Sequence, residues 1–462
     1  MSKPFFKNTP KLAPQTRQLT QKLWNLSYPT IISFALQSFY DIVDMAWVGQ
    51  ISKEALSGVT LFSTLYMLFT VLNEIAGGGS VAMISQSYGR GTPEKTQKIA
   101  EQTISFKILL ALISGLLMYF LLEPLLHFYT GDPLVIQSAM EYGYLRIFFI
   151  PIMFSSYSVN TIFRCTQDTK TPMKIMIISA VLNLLLDPIF IFKKIPGIGL
   201  PGLGLGVFGA ALATVISATI SFLYGFLILV LGKREVTISL RGLFRLDKKI
   251  DRGLIMVGLP AGLQVFVRQF FNATMIKFVT VYGTTAIALA GISGKLNGFM
   301  LLPIFGLNSA GATLVGNSLG KDDVKQAEHI ARISSWMNTG IVAGICVLIL
   351  LFAPQVMSVF SRDREVIRGG VSMLWVTVPA ILLMAFNFGK KVVFSGSGYN
   401  RPQLISTLIS RWLIQLPFMF LVVRVLHLPL VYFWGCTFIA ELADYLVTLY
   451  YYNKDTWRYN RV

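Results

Sequence analysis

At 462 residues, with 54% hydrophobic and only 13% charged side chains, the chain is too apolar for an ordinary water-soluble domain. A net charge of +18 would suggest a nucleic-acid partner in a soluble protein, but the Lys and Arg residues lie mostly in alternate loops, as orientation signals do. No nucleic-acid partner is therefore expected. The three cysteines lie in or beside apolar segments and describe neither a disulfide framework nor a metal-binding spacing.

The first 22 residues are polar and basic, without the apolar core of a signal peptide, and are predicted to form a short cytoplasmic amphipathic lead-in. Apolar runs of about 18 residues or more then recur along the whole length, which predicts an all-α polytopic membrane protein with twelve transmembrane helices. The predicted spans are 24–49, 54–88, 99–123, 138–163, 172–193, 206–232, 252–282, 286–319, 329–353, 368–395, 402–427 and 429–452.

One long basic linker divides the predicted spans into two sets of six. The predicted organisation is an N-terminal half at 1–232, a basic cytoplasmic linker at 233–251 and a C-terminal half at 252–462. Other basic turns fall on the same side of the membrane as this linker, near Arg90, Lys170, Lys321 and Arg401. The opposite loops are nearly free of basic residues, so both termini are predicted to be cytoplasmic.

The second half repeats the first. Adding 231 to a position in the first half repeatedly finds its match, as for Pro29 and Pro260 or for Gly89 and Gly320. The helix end SQSYGR at 85–90 likewise aligns with GNSLGK at 316–321. Six spans is an even number, so the two halves lie the same way up in the membrane. Parallel repeats of this kind are a transporter architecture, with the substrate path between the halves.

The fifth span carries a carboxylate in apolar surroundings. Asp187 follows Asn183 by four residues, so the two side chains share one face of a helix, and Pro188 leaves the Leu184 carbonyl without its helical partner. An acid that reaches water from a helix end is one interpretation. The other is an ion or proton site inside the bundle, because a charge in hydrocarbon is costly and by default indicates function. Asp44 in the first span is its natural companion.

Together these features resemble the multidrug and toxic compound extrusion (MATE) family of secondary transporters, and the likeness covers all twelve spans. The motifs that carry it are SQSYGRG and GNSLGKD at the ends of spans 2 and 8, FRCTQDTKTP after span 4, and NLLLDP in span 5. In the branch with a carboxylate site in its first half, the resemblance places the ion and substrate site on Asp44, Asp187, Asn183 and Thr214, with Tyr40 and Asn160 lining the same cavity. The same four residues, Asp44, Asn183, Asp187 and Thr214, are the candidate ligands of a Na⁺ ion.

The sequence departs from the family pattern at two acids. Asp41, one turn before Asp44, is an extra acid and joins the candidate site, and Glu74 in span 2 is a second unusual one. Another branch of the family has its essential acids in spans 7 and 10, where this chain carries only basic charges: Arg268, Lys277, Lys390 and Lys391.

Helix geometry gives a separate argument for one site in the first half. At the rise of an α-helix, Asp187 lies roughly 22 Å and Asp44 roughly 24 Å from the cytoplasmic ends of their spans. Thr214, on a span that runs inward, comes to a similar level. Three polar side chains at one depth are what a single site requires.

Spans 10 to 12 carry a second polar set, which consists of Lys390, Lys391, Arg411, Glu441 and Asp444. Charges in hydrocarbon are tolerated when they are paired, so we interpret the set as an internal salt-bridge cluster. A second protonation site or an anion-binding surface is the alternative.

The resemblance implies an antiporter, not an enzyme, that exports amphipathic organic cations by alternating access in exchange for H⁺ or Na⁺. It would be a multi-pass protein of the bacterial inner membrane whose partners are the lipid bilayer and its substrates. A monomer without a cofactor other than the coupling ion is expected. A flippase for lipid-linked precursors, from the same superfamily, is the alternative, and Arg268, Lys277 and Lys295 are the residues that favour it. No hydrolase or metalloprotease motif supports an intramembrane enzyme.

Overall fold

The computed structural model describes residues 14–232 and 235–462. Most of the predicted lead-in and the first two residues of the predicted linker, Lys233 and Arg234, lie outside the described residues. In the described part the regular structure is helical, apart from one isolated antiparallel bridge between Lys194 and Pro201. The α-helices are α1 (Pro14–Gly49), α2 (Lys53–Phe69), α3 (Val71–Gly89), α4 (Pro93–Tyr129), α5 (Pro133–Phe148), α6 (Ile150–Cys165), α7 (Lys170–Ile191), α8 (Gly206–Val230), α9 (Leu240–Leu243), α10 (Lys248–Val279), α11 (Thr284–Gly320), α12 (Val324–Leu351), α13 (Ala353–Phe360), α14 (Arg364–Ser397), α15 (Arg401–Thr407), α16 (Leu416–Phe420), α17 (Leu430–Asn453) and α18 (Thr456–Tyr459).

The helices confirm the predicted all-α polytopic fold with twelve spans. Within the described ranges, ten helical segments are long and apolar enough to cross a membrane, and two bent pairs complete the twelve. The α2–α3 pair bends by 46° and the α5–α6 pair by 56°. Pro151 lies in the first turn of α6 and has no N–H that could donate to the carbonyl one turn earlier, in α5. The helix therefore cannot continue unbroken from α5 into α6. Several helices extend beyond the predicted spans, since an apolar run marks the part in hydrocarbon and not the helix ends.

Span 11 contains two π-helical segments. They run over Leu408–Gln415 and Leu421–Val425, on either side of α16. A π-helical turn hydrogen-bonds from residue i to i+5; such turns are rare and frequently lie at functional sites. Here the first segment carries two of the polar side chains of the second half, Arg411 and Gln415.

The two halves meet along α3, which packs on α10 and α11, and along α1, which packs on α11. Glycines allow the backbones to approach closely at this junction. A Cβ added at Gly89 would collide with the backbone of Asn317, and one at Gly320 would collide with the carbonyl of Gln86. The two helix ends that correspond in the internal repeat, Ser85–Gly89 and Gly316–Gly320, therefore pack directly against each other. We call them the paired helix ends.

The segment that joins the halves packs on α4. The Ser239 N–H donates to Glu101 Oε1 at 2.7 Å, and the Asp247 N–H donates to Gln102 Oε1 at 2.9 Å. The Asp247 carboxylate also pairs with Lys98 at 2.6 Å and caps the start of α10. Lys98, with the N–H groups of α10, holds the pKa of Asp247 below its ordinary value. The linker is thus anchored to the first half, while its exact boundaries stay a prediction.

Candidate functional site

A cavity of about 470 Å³ lies in the first half among α1, α2, α5, α6, α7 and α8, and we call it the first-half cavity. Its charged lining residues are Asp41, Asp44 and Arg146. Four tyrosines form much of the remaining wall: Tyr40, Tyr66, Tyr142 and Tyr157. Carboxylates combined with aromatic faces can attract an organic cation through charge and through the ring quadrupoles.

Asp44 is held by a chain of hydrogen bonds from α5. The Tyr142 hydroxyl donates to Asp44 Oδ2 at 3.2 Å and accepts from Arg146 Nη1 at 3.0 Å. Tyr142 is only 1% exposed, and its ring packs edge-on against Phe62 of α2, which fixes the hydroxyl in place. Asp44 Oδ1 is buried without a hydrogen-bond partner. One oxygen of this carboxylate is therefore free for a proton, a metal ion or a substrate.

Asp41 differs from Asp44 in its exposure. Its side chain is exposed on the cavity wall and accepts a hydrogen bond from Gln37 Nε2, one turn earlier on α1, at 3.1 Å. Asp44, in contrast, is 6% exposed. The two acids of α1 thus line the same cavity at different degrees of burial.

Asn183 and Asp187 form a pair on α7, as their spacing predicted. Asn183 Nδ2 donates to Asp187 Oδ1 at 3.1 Å, and the two side chains are 1% and 0% exposed. Thr214 on α8 is also buried, and its hydroxyl donates to the Ala210 carbonyl at 3.0 Å. None of the three belongs to the lining of the first-half cavity as the structure describes it.

The structure therefore divides the predicted site into two layers. Tyr40, Asp41, Asp44 and Asn160 line the first-half cavity, whereas Asn183, Asp187 and Thr214 are buried on α7 and α8. Helix α7 packs on both α1 and α8, so the buried residues of α7 lie on a helix that adjoins the one carrying Asp44. Asp44 combines both properties, because it lines the cavity and is itself only 6% exposed.

The buried layer has oxygen atoms that suit a small cation. Asp187 Oδ2, Asn183 Oδ1 and Asp44 Oδ1 are all buried without a hydrogen-bond partner. The Thr214 hydroxyl uses its hydrogen on the backbone and keeps its lone pairs. Carboxylate, amide and hydroxyl oxygens are the ligands that hard cations prefer, so the predicted Na⁺ ligands fit such an ion by their chemistry. The same free oxygens could instead hold a proton.

The polar set of the second half forms two buried ion pairs. Lys391 Nζ contacts Asp444 Oδ2 at 2.6 Å, and Asn387 Nδ2 donates to the same oxygen at 2.9 Å. Arg411, from the first π-helical segment, pairs with Glu441 of α17. Lys390 does not join them, because its ammonium lies 4.6 Å from the ring centre of Tyr452. The predicted five-residue cluster is thus wrong for Lys390, whose ammonium contacts an aromatic ring while that of Lys391 pairs with Asp444.

A larger groove of about 740 Å³ lies near the junction of α4 and α5, apart from these charges. Its wall is almost wholly apolar, and one of its residues, Phe148, is 78% exposed. An open apolar surface on a membrane protein is what lipid tails contact. We therefore place the candidate site in the smaller, charged cavity.

Comparison with known proteins decides the family. The MatE family model matches residues 29–189 and 260–421, which together make up well over half of the chain. The chain belongs to the MATE family. It is accordingly a multi-pass membrane protein of a transporter family.

Two bacterial relatives and one solved structure illustrate the likeness. This MATE chain is 26% identical to a probable multidrug resistance protein, YoeA, of Bacillus subtilis, over 94% of this chain and 93% of that protein. It is also 26% identical to the probable multidrug resistance protein NorM of Thermotoga maritima, over 92% and 90% of the two chains. A MOP-superfamily transporter from Pyrococcus furiosus superposes with a TM-score of 0.86 at 24% identity, over 96% of this chain and 98% of that one, and so shows the same fold.

Sequence reasoning missed Arg146 and its partner Tyr142. Arg146 is a charge within an apolar stretch of span 4, so the rule that singled out Asp187 applies to it equally. The same rule would have found Lys107, whose side chain is only 1% exposed on α4 of this MATE protein. The charge of each residue inside a predicted span was a sufficient signal to place it among the candidate residues.

Proposed function

We propose that this MATE protein is an ion-coupled antiporter that exports amphipathic organic cations by alternating access. The observation that carries the proposal is the first-half cavity, in which two carboxylates and four tyrosines line one space. Its volume is in the range of about 300–1,000 Å³ that is typical of sites for small organic molecules. The two relatives described above are named as probable multidrug resistance proteins, which supports the export of drug-like molecules.

Coupling follows from competition for the carboxylates. A deprotonated Asp44 adds negative charge to the cavity wall and attracts a cation. A proton or Na⁺ bound between Asp44 and Asp187 removes that charge, and with it most of the attraction for the substrate. Mutually exclusive occupancy of this kind is what antiport requires. The unpartnered oxygens of both carboxylates support the assignment of this role to them.

Alternating access would come from rocking of the two halves against each other. The paired helix ends close the junction at the end that carries Arg90 and Lys321. We propose that this end faces the cytoplasm, that both termini lie there, and that the protein functions as a monomer in the bacterial plasma membrane. The present conformation would then be closed to the cytoplasm.

Transport by the purified protein in liposomes tests the proposal. Efflux of a fluorescent lipophilic cation is measured under a pH gradient alone, under a Na⁺ gradient alone, and under neither. We expect one of the two gradients to drive accumulation against the cation's own gradient, and Asp44→Asn to abolish it. Equal transport in all three conditions would contradict ion coupling, and the absence of cation transport would contradict the substrate class.

A flippase for lipid-linked precursors is the second candidate. It is favoured by cations deep in the bundle, since Lys107 is 1% exposed and Arg268 on α10 is half-buried. An anionic lipid headgroup would need such charges along its path. Translocation of a fluorescent anionic lipid in the same liposomes, without transport of the organic cation, would favour this function over the first.

A further inference from the structure

The first-half cavity already contains a cation, which is the guanidinium of Arg146. Its Cζ atom lies 5.2 Å from the ring centre of Tyr66 and 5.3 Å from that of Tyr142, which is the geometry of cation–π contacts. This is the environment that an organic cation would be expected to occupy. The guanidinium thus takes the place of a ligand within the protein's own site.

The guanidinium is only loosely held by its partners. Of its five N–H donors, one donates to the neutral Tyr142 hydroxyl at 3.0 Å, and Nε is buried without a partner. Among the residues that the structure describes, no carboxylate lies within 4.0 Å of it in an ion pair. Its positive charge is therefore left to act on the cavity and is not cancelled by one neighbouring acid.

The charges on the cavity wall then add up to a single negative one. Asp41 and Asp44 contribute two negative charges and Arg146 contributes one positive charge. Asp187 is outside this sum because it does not line the cavity. A bound substrate with one positive charge would leave the cavity neutral, whereas a second positive charge would lie unpaired in a low-dielectric space, where it is costly.

We propose that Arg146 acts as a tethered cation that restricts the first-half cavity to organic substrates with a single positive charge. The inference rests on the proposed function, because it assumes that organic cations bind in this cavity. It adds that the number of charges on the substrate is set by Arg146 and the two acids of α1. Removing Arg146 should therefore admit dications, and removing one acid as well should exclude them again.

Ethidium and propidium test the proposal, since they share one fluorescent ring system but carry one and two positive charges. Their binding to the full-length, detergent-purified protein is measured by fluorescence. In the wild type, ethidium should bind more tightly than propidium. In Arg146→Gln, the affinity for propidium relative to that for ethidium should rise by about tenfold or more. This is the effect expected of removing one unit charge several ångströms from the second charge of the dye, at an effective dielectric constant near 20.

Three further variants separate charge from shape. Arg146→Lys keeps the charge and should keep the wild-type ratio. The double variant Asp41→Asn/Arg146→Gln restores one net negative charge and should return the preference to ethidium, although its cavity is as large as that of Arg146→Gln. Lys390→Gln removes a positive charge from the second half and should leave the ratio unchanged. Should Arg146→Gln fail to fold, the single variant Asp41→Asn still tests the charge count, because a wall without net charge should weaken the binding of both dyes.

The results distinguish the inference from the function on which it rests. An unchanged dye ratio in folded Arg146→Gln, or a double variant that retains the propidium preference, would overturn the inference while cation binding stands. A wild-type protein that binds neither dye nor any other organic cation would overturn the proposed function instead.

Discussion

Replacement of Lys391 by alanine should destabilise the protein strongly, although its neighbour Lys390 should tolerate the same change. Lys391 Nζ lies 2.6 Å from Asp444 Oδ2, and the two side chains are 7% and 9% exposed. Without the lysine, the buried Asp444 carboxylate still accepts from the Asn387 amide at 2.9 Å but has lost its paired cation. Breaking a buried ion pair from one side costs about 3–5 kcal/mol, because the remaining charge is left uncompensated.

Lys390 is the matched control on the same helix turn. It is half-buried and rests on the ring of Tyr452, a contact worth about 0.5–1 kcal/mol at a partly exposed site. The difference between the two alanine variants should therefore be at least about 2 kcal/mol. Replacing both partners, as in Lys391→Met/Asp444→Leu, should recover most of the lost stability, since neither charge of this pair is then left uncompensated.

Thermal unfolding of the purified variants in detergent measures these differences, with transport in liposomes as the second readout. Lys391→Ala should unfold at a clearly lower temperature and give less protein, while Lys390→Ala and the double variant should stay near the wild type. An equal loss of stability in both alanine variants would refute the assignment of the ion pair. A Lys391 variant that folds well but does not transport would place this ion pair in the transport mechanism.

Three further predictions concern the first half. Asp187→Asn should abolish coupled efflux without lowering the yield, because the amide cannot exchange a proton; full drug resistance in cells that carry it would remove Asp187 from the site. Asp44→Asn should be equally inactive in the same assay and Asp41→Asn milder, since Asp44 is the buried partner of Tyr142 whereas Asp41 is exposed, and the reverse order would show that Asp41 carries the coupling. Affinity for a lipophilic cation, measured from pH 5 to 9 with and without Na⁺, should fall at low pH or on addition of Na⁺, and a value independent of both would leave the acidic site without a role in coupling.

The fold was largely predictable because the bilayer imposes simple requirements on length and polarity. Apolar runs located all twelve spans, and the offset between Pro29 and Pro260 revealed the repeat. The helix ends were not predictable in the same way. Helix α1 is already formed at Pro14, the first described residue, well before the predicted start at 24, because its first turns are polar and extend out of the apolar run. The length of an apolar run indicates only the part of the helix that lies in the hydrocarbon core of the membrane.

The candidate site was predictable in its acids but not in their arrangement. Spacing correctly paired Asn183 with Asp187, since residues four apart share a helix face. Which face of α7 meets the cavity depends on the packing of α1 and α8 around it, which no local pattern encodes. The contact of Arg146 with Tyr66 has the same origin, because it joins α5 to α2 through tertiary packing. Helical spacing therefore predicts neighbours along one helix, and neighbours across helices require the structure.

The paired helix ends have a consequence for the distribution of the protein between its conformational states. Backbone atoms touch where Gly89 meets Asn317 and where Gly320 meets Gln86, so this contact leaves no space for a side chain. Such a contact is either fully made or fully lost, which favours a switch between two states over a gradual opening. Replacing either glycine with alanine would add a methyl group that collides with the facing backbone, and this would raise the energy of the closed state only. If the two halves rock as proposed, glycine at these two positions would affect the ratio of the open and closed conformations, although neither glycine lines the first-half cavity.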